Sequence, residues 1–379
     1  MKKVRCLRIL LPTMLALAVL VISMSGCGNK KPANGAVSIG AILPLTGEAA
    51  KYGASSKNGI DLAVDEINKA GGVRGSKLSV IFEDDQGVPA KGVSGFQKLA
   101  TVDKVPAVIG AMASSETLAI APMANKSRVV LLSPMSSNPS ITKSGDYVFR
   151  NCISDLTEGS EMAKYASGKL HVKKAAILYI NNDYGVGLRD VFRKNLVKLG
   201  GQVVASEGFA QAATDFRSQL AKIKALNPDA VYVVGYNEMI QIFKQAKQLG
   251  LRTQFLSTIM LNDPGLVKQT GGASDGAILT AWAYDPQSKD RAMQSFVSAF
   301  KNRYGAEPDV FAAQAYDAAK LIAKAISDSG AGAEDIKKGL YGIKNYPGAS
   351  GTTSFDSNGD VSKPLRFLRV SNGTFIAAK

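Results

Sequence analysis

Short apolar runs and longer amphipathic stretches alternate along most of the chain. Val37–Leu43 reads as a buried strand, followed by a helix from about Tyr52 to Lys69 that Gly71-Gly72 stops. Leu78–Glu83 is the next strand, ending in Asp84-Asp85, and Pro89 to about Thr101 is the next helix. Ala107–Gly110 and Val129–Leu132 are two further strands, with Glu116–Lys126 between them as a crossover helix. Asp146–Asn151 is short and is expected to cross to a new place. A second alternating set follows, with strands at Ala175–Ile180, Val203–Glu207, Ala230–Val234, Gln254–Ser257 and Ala277–Thr280. Its helices are Gly185–Leu199, Asp215–Leu226 and Glu238–Leu249. This βαβαβα order predicts an α/β fold with a doubly wound, mostly parallel sheet, and two such sets predict two similar lobes. After Ala281 the rhythm changes. Ser288–Tyr304, Asp309–Ser327 and Glu334–Tyr341 are helices with no strand between them. Thr352–Phe355 and Leu365–Val370, with turns at Asn358-Gly359 and Asn372-Gly373, read as strands and a hairpin. The late helices are expected to return to the first lobe and the last strands to the second.

The pattern sets two loops side by side at the carboxyl ends of neighbouring strands: Ala113-Ser114-Ser115 and Ser133-Pro134-Met135-Ser136-Ser137. That edge is where open α/β sheets bind ligands. Ser114 or Ser115 also stands where a helix N-cap is wanted, which leaves backbone N–H groups facing the crevice. Hydroxyls and free N–H groups suit a small anionic group such as a carboxylate. Helix capping alone explains the same serines, so two readings stand.

The N-terminus belongs to export and not to the fold. Lys2, Lys3, Arg5 and Arg8 form a basic head, and Ile9–Ile22 is an apolar run too short to span a bilayer but right for a signal-peptide core. Met24-Ser25-Gly26-Cys27 resembles the lipobox of bacterial lipoproteins, with Met24 in place of the usual Leu. Residues 1–26 are therefore expected to be a signal peptide, Cys27 the lipidated residue and 27–35 a polar tether. Ordinary cleavage near Gly26, leaving Cys27 a free thiol, is the other reading. The remaining 353 residues favour two domains. Net charge is +15, and about +11 remains once the leader is gone. The lysines are dispersed on amphipathic helices, and together with export this argues against nucleic acid as a partner. Cys152 is the only cysteine left in the mature body, so no disulfide forms there without Cys27.

Reaction machinery is absent from the sequence. His171 is the one histidine, beside Lys173 and Lys174, and reads as a surface residue. No metal cluster, P-loop or complete Gly-x-Gly-x-x-Gly is present, and no cofactor is expected. Asp84 and Asp85 are adjacent on a strand and point to opposite faces, so strand-end capping is the better reading than a catalytic pair. An exported hydrolase using one of the loop serines lacks a histidine partner.

The order and spacing of IGAILPLTGEAAKYGASSKNGIDLAVDEINKAGGVRG, LSVIFEDD, VIGAMASSETLAIAPMA, LLSPMSSNPSIT and ILYINNDYGVGL resemble the substrate-binding lipoproteins of branched-chain amino-acid-type ABC transporters. The resemblance covers nearly all of the mature chain. It implies a type I periplasmic-binding fold, with two Rossmann-like lobes, three crossover strands and a cleft that closes on its ligand. The crossings are expected near Cys152–Ser154, Ala281–Asp285 and Ala349–Gly351. This gives lobe 1 as 36–152 with 284–350 and lobe 2 as 153–283 with 351–379. It also implies a monomer, held to the membrane by its N-terminal lipid, that delivers a small solute to an ABC permease. Carried across residue by residue, the carboxylate-binding serine falls on Ser114, with Ala113 beside it. The second carboxylate loop falls on Met135, Ser136 and Ser137, and the cleft aromatics on Tyr52, Tyr184 and Tyr236.

One position departs from the family pattern. Where amino-acid binders place a glutamate for the substrate ammonium, this chain has Ile259. An apolar side chain cannot compensate a buried ammonium, which would cost several kcal/mol unpaired. Glu238 or Asp263 is the candidate substitute. Otherwise the ligand lacks an amine and is an aromatic or aliphatic carboxylate, an amide or urea, for uptake or sensing. A branched-chain or other amino acid is the first choice.

Overall fold

In the computed structural model, which describes residues 35–378, two sheets form from the apolar runs of the sequence. The leader, Cys27 and most of the tether lie outside the described residues. β1 (Val37–Leu43), β2 (Leu78–Asp84), β3 (Ala107–Ile109), β4 (Val130–Ser133) and β5 (Val148–Arg150) make a parallel sheet in the order β2-β1-β3-β4-β5. Its central strands are buried on both faces, so β3 and β4 carry no polar alternation until Ser133. α1 (Ala50–Lys69), α2 (Pro89–Thr101) and α3 (Ser114–Ser127) connect these strands. The Asp146–Asn151 stretch does not cross. Its core, β5, pairs with β4 as the edge of the first sheet, and the chain leaves only after Arg150.

α4 (Asp155–Gly168) begins the second half, capped by the Ser154 side chain, which accepts from the Leu156 N–H. β6 (Lys174–Ile180), α5 (Asp183–Lys198), β7 (Gln202–Phe209), α6 (Arg217–Ala225), β8 (Ala230–Val234), α7 (Met239–Gln248), β9 (Gln254–Ser257), α8 (Pro264–Gln269) and β10 (Ile278–Ala281) follow. The second sheet has the order β12-β11-β10-β9-β8-β6-β7, parallel from β7 to β10. β11 (Arg366–Ser371) and β12 (Thr374–Ala377) add to it antiparallel. Asn372 and Gly373 take φ of 49° and 74°, the left-handed pair that a two-residue hairpin turn requires.

α9 (Arg291–Tyr304), α10 (Val310–Ser329) and α11 (Ala333–Gly342) return to the first sheet's side, as their pattern predicts. Tyr316 donates to Glu66 at 2.6 Å, and Tyr304 donates to the Asn58 carbonyl at 2.9 Å. α1 and α10 meet so closely that a Cβ on Gly59 would lie 2.2 Å from the Ala312 carbonyl oxygen. Only glycine fits there.

The stretch 351–361 differs from expectation in two ways. Thr353 and Phe355 form single bridges, to Tyr346 and Val361, not a strand. The stretch also stays with the first sheet: Phe355 packs edge-on to Phe149 at 5.6 Å, and Asp360 pairs with Arg150. The third crossing therefore comes after Asp360 and not near Ala349–Gly351. A loop without periodic apolar residues gave no signal of this tertiary anchor.

Candidate functional site

Both sheets direct the carboxyl ends of their strands at one gap. A cavity of about 210 Å³ fills it. From the first sheet come Pro44 after β1, Asp85 and Gly87 after β2, Ala113 and Ser114 after β3, and Met135 and Ser137 after β4. From the second come Asn182 and Tyr184 after β6, Gln211 after β7, Tyr236 and Glu238 after β8, Ile259 and Met260 after β9, and Trp282 after β10. Each sheet thus offers the edge where α/β folds hold ligands.

On the first-sheet side the helix α3 opens directly onto the cavity. Its N-cap is Ala113 in an extended conformation, with no side-chain cap. Ser114 and Ser115 are therefore not caps, in contrast to one of the readings above. The Ser114 hydroxyl accepts from the Asn138 N–H at 3.2 Å, which ties the two serine loops together. The Ser115 hydroxyl accepts from the Asp183 N–H at 3.3 Å, across to the second sheet's side. Ser133 organises the second loop from beneath. Its hydroxyl donates to the Ala111 carbonyl at 2.6 Å and accepts from the Ser136 N–H at 2.9 Å. Ser136, expected among the site residues, does not line the cavity. Its hydroxyl sits 2.7 Å from that of Thr117 and donates to the Ala111 carbonyl at 3.1 Å. Met135 and Ser137 on either side of it do line the cavity.

Aromatic side chains form much of the wall. Tyr184 stacks on Tyr236 at 5.4 Å and donates to Thr258 at 2.8 Å. Tyr52 packs on Phe311 at 4.6 Å and donates to Asn237 Oδ1 at 2.9 Å, bridging the two sides. Lys51 pairs with Asp263 at the rim, and Asn138 donates to the Asp183 carbonyl at 2.5 Å. These polar contacts join the two sides around the cavity.

The two substitutes considered for the missing glutamate differ in placement. Glu238 lines the cavity, but its carboxylate accepts from the N–H groups of Ala212 and Tyr236 at 2.8 and 3.0 Å. Asp263 does not line it. It accepts from the Gly265 and Leu266 N–H groups at the start of α8 and pairs with Lys51. Ile259 lines the cavity, and its N–H donates to Glu158, a fully buried carboxylate that also accepts from Trp282 at 3.1 Å. Behind Ser137, Asp155 is fully buried, and burial followed by the nearby Glu158 holds its carboxyl well above the usual range.

Sequence reasoning missed Trp282, Phe311, Met112, Gln211 and Glu116 as cavity residues. Glu116 stands in the first turn of the crossover helix α3, a position that by itself signals no ligand. Asp84 caps as expected, accepting from Leu45 and Thr46 N–H groups at 2.8 and 3.2 Å. Asp85 also caps, accepting from the Gly87 N–H at 3.0 Å, and lines the cavity as well. Burial pushes Asp85 up to about 6, and pushes Glu116 up to about 7, with Asp85 and Asp183 adding to the effect.

This sets a pH dependence. The folded protein holds these protons where the unfolded chain, with ordinary carboxyls, has released them. The contribution of these two groups to the stability of the empty protein therefore falls as pH rises from about 4 to 7. Glu116→Gln removes the larger part. At pH 8 the variant is expected to be more stable in urea unfolding by on the order of 2–3 kcal/mol, and at pH 4 nearly equal to the parent. A variant less stable than the parent at pH 8 would mean that the ionised Glu116 is well partnered.

Comparisons with known proteins agree with this geometry. The periplasmic binding protein family model matches residues 36–374. A leucine-, isoleucine-, valine-, threonine- and alanine-binding protein of Pseudomonas aeruginosa is 29% identical over 346 residues, covering 90% of this chain and 91% of the relative. The crystal structure of the leucine-binding protein LivK of Thermotoga maritima superposes with a TM-score of 0.85 at 32% identity, covering 90% of this chain and 98% of that one. The substrate-binding protein LivJ of Streptococcus pneumoniae, solved with isoleucine, gives 0.84 at 32% identity with the same coverage. Two sheets of 2-1-3-4-5 type order, a ligand-sized gap between their strand ends and a family match over nearly the whole described chain lead to one conclusion: the chain belongs to the periplasmic binding protein family.

Proposed function

We propose that the protein is the extracytoplasmic solute-binding component of an ABC importer, and that it takes a small carboxylate-bearing solute, with an amino acid as first choice. The observation that carries this is the cavity itself. The uncapped start of α3 and the Ser137 loop face it from one side, and Tyr184 and Tyr236 face it from the other. In this reading Ser114, Ser137 and the free N–H groups at the start of α3 hold the carboxylate by charge-assisted hydrogen bonds, each worth about 1.5–3 kcal/mol. Tyr52, Tyr184 and Tyr236 close around the body of the solute, and their extra contacts in the closed form drive closure. The closed form is what the permease recognises. Lipidation at Cys27 tethers the protein to the membrane, and it works as a monomer with two lobes that meet at the cavity.

A second reading has its own support. Ile259, Met112, Met135, Met260, Trp282 and Phe311 make an apolar body pocket, which suits an aromatic or aliphatic acid without an amine. A thermal-shift screen separates the two. Ligand that binds only the folded state raises the melting temperature by mass action, about 2.7 kcal/mol at a hundredfold excess over Kd. Amino acids are expected to shift the protein and benzoate, amides and urea are not. A shift with benzoate alone reverses the order of the two readings, and no shift with any acid removes the carboxylate assignment.

A further inference from the structure

We propose that the ligand carries, beyond an apolar spacer from its carboxylate, a cationic nitrogen that Glu116 and Asp85 receive; this rests on the carboxylate-binding role of the serine loops given above. The cavity wall holds four carboxyls, Glu48, Asp85, Glu116 and Glu238, and among the described residues no Lys, Arg or His lines it. The protein as a whole has net charge +15, so this acidic lining runs against the bulk composition. Glu116 is 3% exposed, and its Oε2 is buried without a hydrogen-bond partner. A buried carboxylate oxygen in that condition is costly unless a ligand meets it.

The neighbours do not satisfy it. Asp85 faces Glu116 across Gly92, where a built Cβ would lie 3.6 Å from Glu116 Cβ and 3.8 Å from Asp85 Cβ. Asp183 at the start of α5 and Tyr236 after β8 also act on this region, and neither brings positive charge. The nearby lysines are engaged elsewhere, Lys51 with Asp263 and Lys91 with the Gln86 side chain. Glu238 already accepts two backbone N–H groups. A cation arriving with the solute is the partner this wall lacks.

Position on the helix separates the cation from the carboxylate. Ser114 and Glu116 are two residues apart on α3, and such residues do not face one another. Glu116 instead lies toward Gly87 and Gln211, since a Cβ built on Gly87 would be 3.9 Å from both Glu116 Oε1 and Gln211 Nε2. A group bound at Glu116 is therefore not the α-ammonium beside a carboxylate at Ser114. It is a side-chain ammonium or guanidinium, and the aromatic wall between accommodates the methylenes. The ligand class is a basic amino acid or an ω-amino acid.

The test is calorimetry on the protein at pH 8, with lysine, arginine, 5-aminopentanoate and leucine as probes, on the parent, Glu116→Gln and Ser114→Ala. The expected result is that the tightest basic probe binds the parent at least about tenfold more tightly than leucine, and that Glu116→Gln reduces this preference by about tenfold or more. Ser114→Ala is expected to weaken all bound probes together. If leucine binds more tightly than every basic probe, or Glu116→Gln leaves the preference unchanged, the cation assignment is overturned while the carboxylate site stands. If Ser114→Ala leaves every affinity unchanged, the carboxylate site itself fails, and this inference with it.

Discussion

Replacing Arg150 by methionine is expected to cost the fold about 3–5 kcal/mol, the largest loss of any single substitution considered. Arg150 is fully buried at the end of β5. Its Nε and Nη2 lie 2.7 Å from the two oxygens of Asp360. Nη1 donates to the carbonyls of Ser137 and Asn138 at 3.0 and 2.9 Å, and Nη2 donates to Thr142 at 2.6 Å. Methionine fills a similar volume but leaves two loop carbonyls without their donors and the Asp360 carboxylate with only the Thr142 hydroxyl, at 2.6 Å. Removing one member of such a pair is worse than never having built it, because the other charge stays behind largely withdrawn from water, Asp360 being 15% exposed. Urea unfolding reads the change as a lower midpoint with an unaltered slope. Because the same guanidinium fixes the Ser137 loop, solute affinity is expected to fall at temperatures where the variant is still folded. A loss under about 1 kcal/mol would mean that water replaces the guanidinium freely.

Tyr184→Ala is expected to weaken solute binding by about thirtyfold or more, the size seen when an aromatic anchor is removed from a desolvated pocket. The ring is 5% exposed, stacks on Tyr236 and reaches Thr258 with its hydroxyl. Truncation removes the wall that the second sheet contributes and lets water into the cavity. Tyr184→Phe keeps the ring and is expected to lose about tenfold at most, since only the bond to Thr258 goes. Calorimetry on both variants with the best ligand measures this. Equal losses in the two would assign the effect to the hydroxyl instead of the ring.

Much of the fold was legible from hydrophobic period alone. β1, α2, β8 and β9 fall on the residues the pattern named, because their apolar runs are bounded by polar or turn-forming residues. α4 was missed for a physical reason. Its inward face opens with Asp155 and Glu158, both fully buried, so the first turn counts as outward in a hydrophobicity pattern, and only Met162, Ala163, Tyr165 and Ala166 are left to mark the face. α8 was missed because Pro264–Gln269 is too short to show a period. The candidate site divided in the same way. Its loops were legible because parallel strands announce where their carboxyl ends are. Trp282, Phe311 and Gln211 were not, since they come from separate elements that only the folded chain brings together. Ser136 and Asp263 were named by sequence neighbourhood and lie elsewhere, because neighbouring loop side chains take different directions and a carboxylate can serve a helix start instead of a ligand.

The rim contacts bear on time as well as on affinity. Tyr52 with Asn237, Lys51 with Asp263 and Asn138 with Asp183 hold the two sides together around the cavity without a solute as intermediary. For a solute held as proposed above, parting of these contacts widens the way out, so its residence depends on the rim as well as on its own contacts. The rim contacts thus add to the free energy of opening the gap, whatever occupies it.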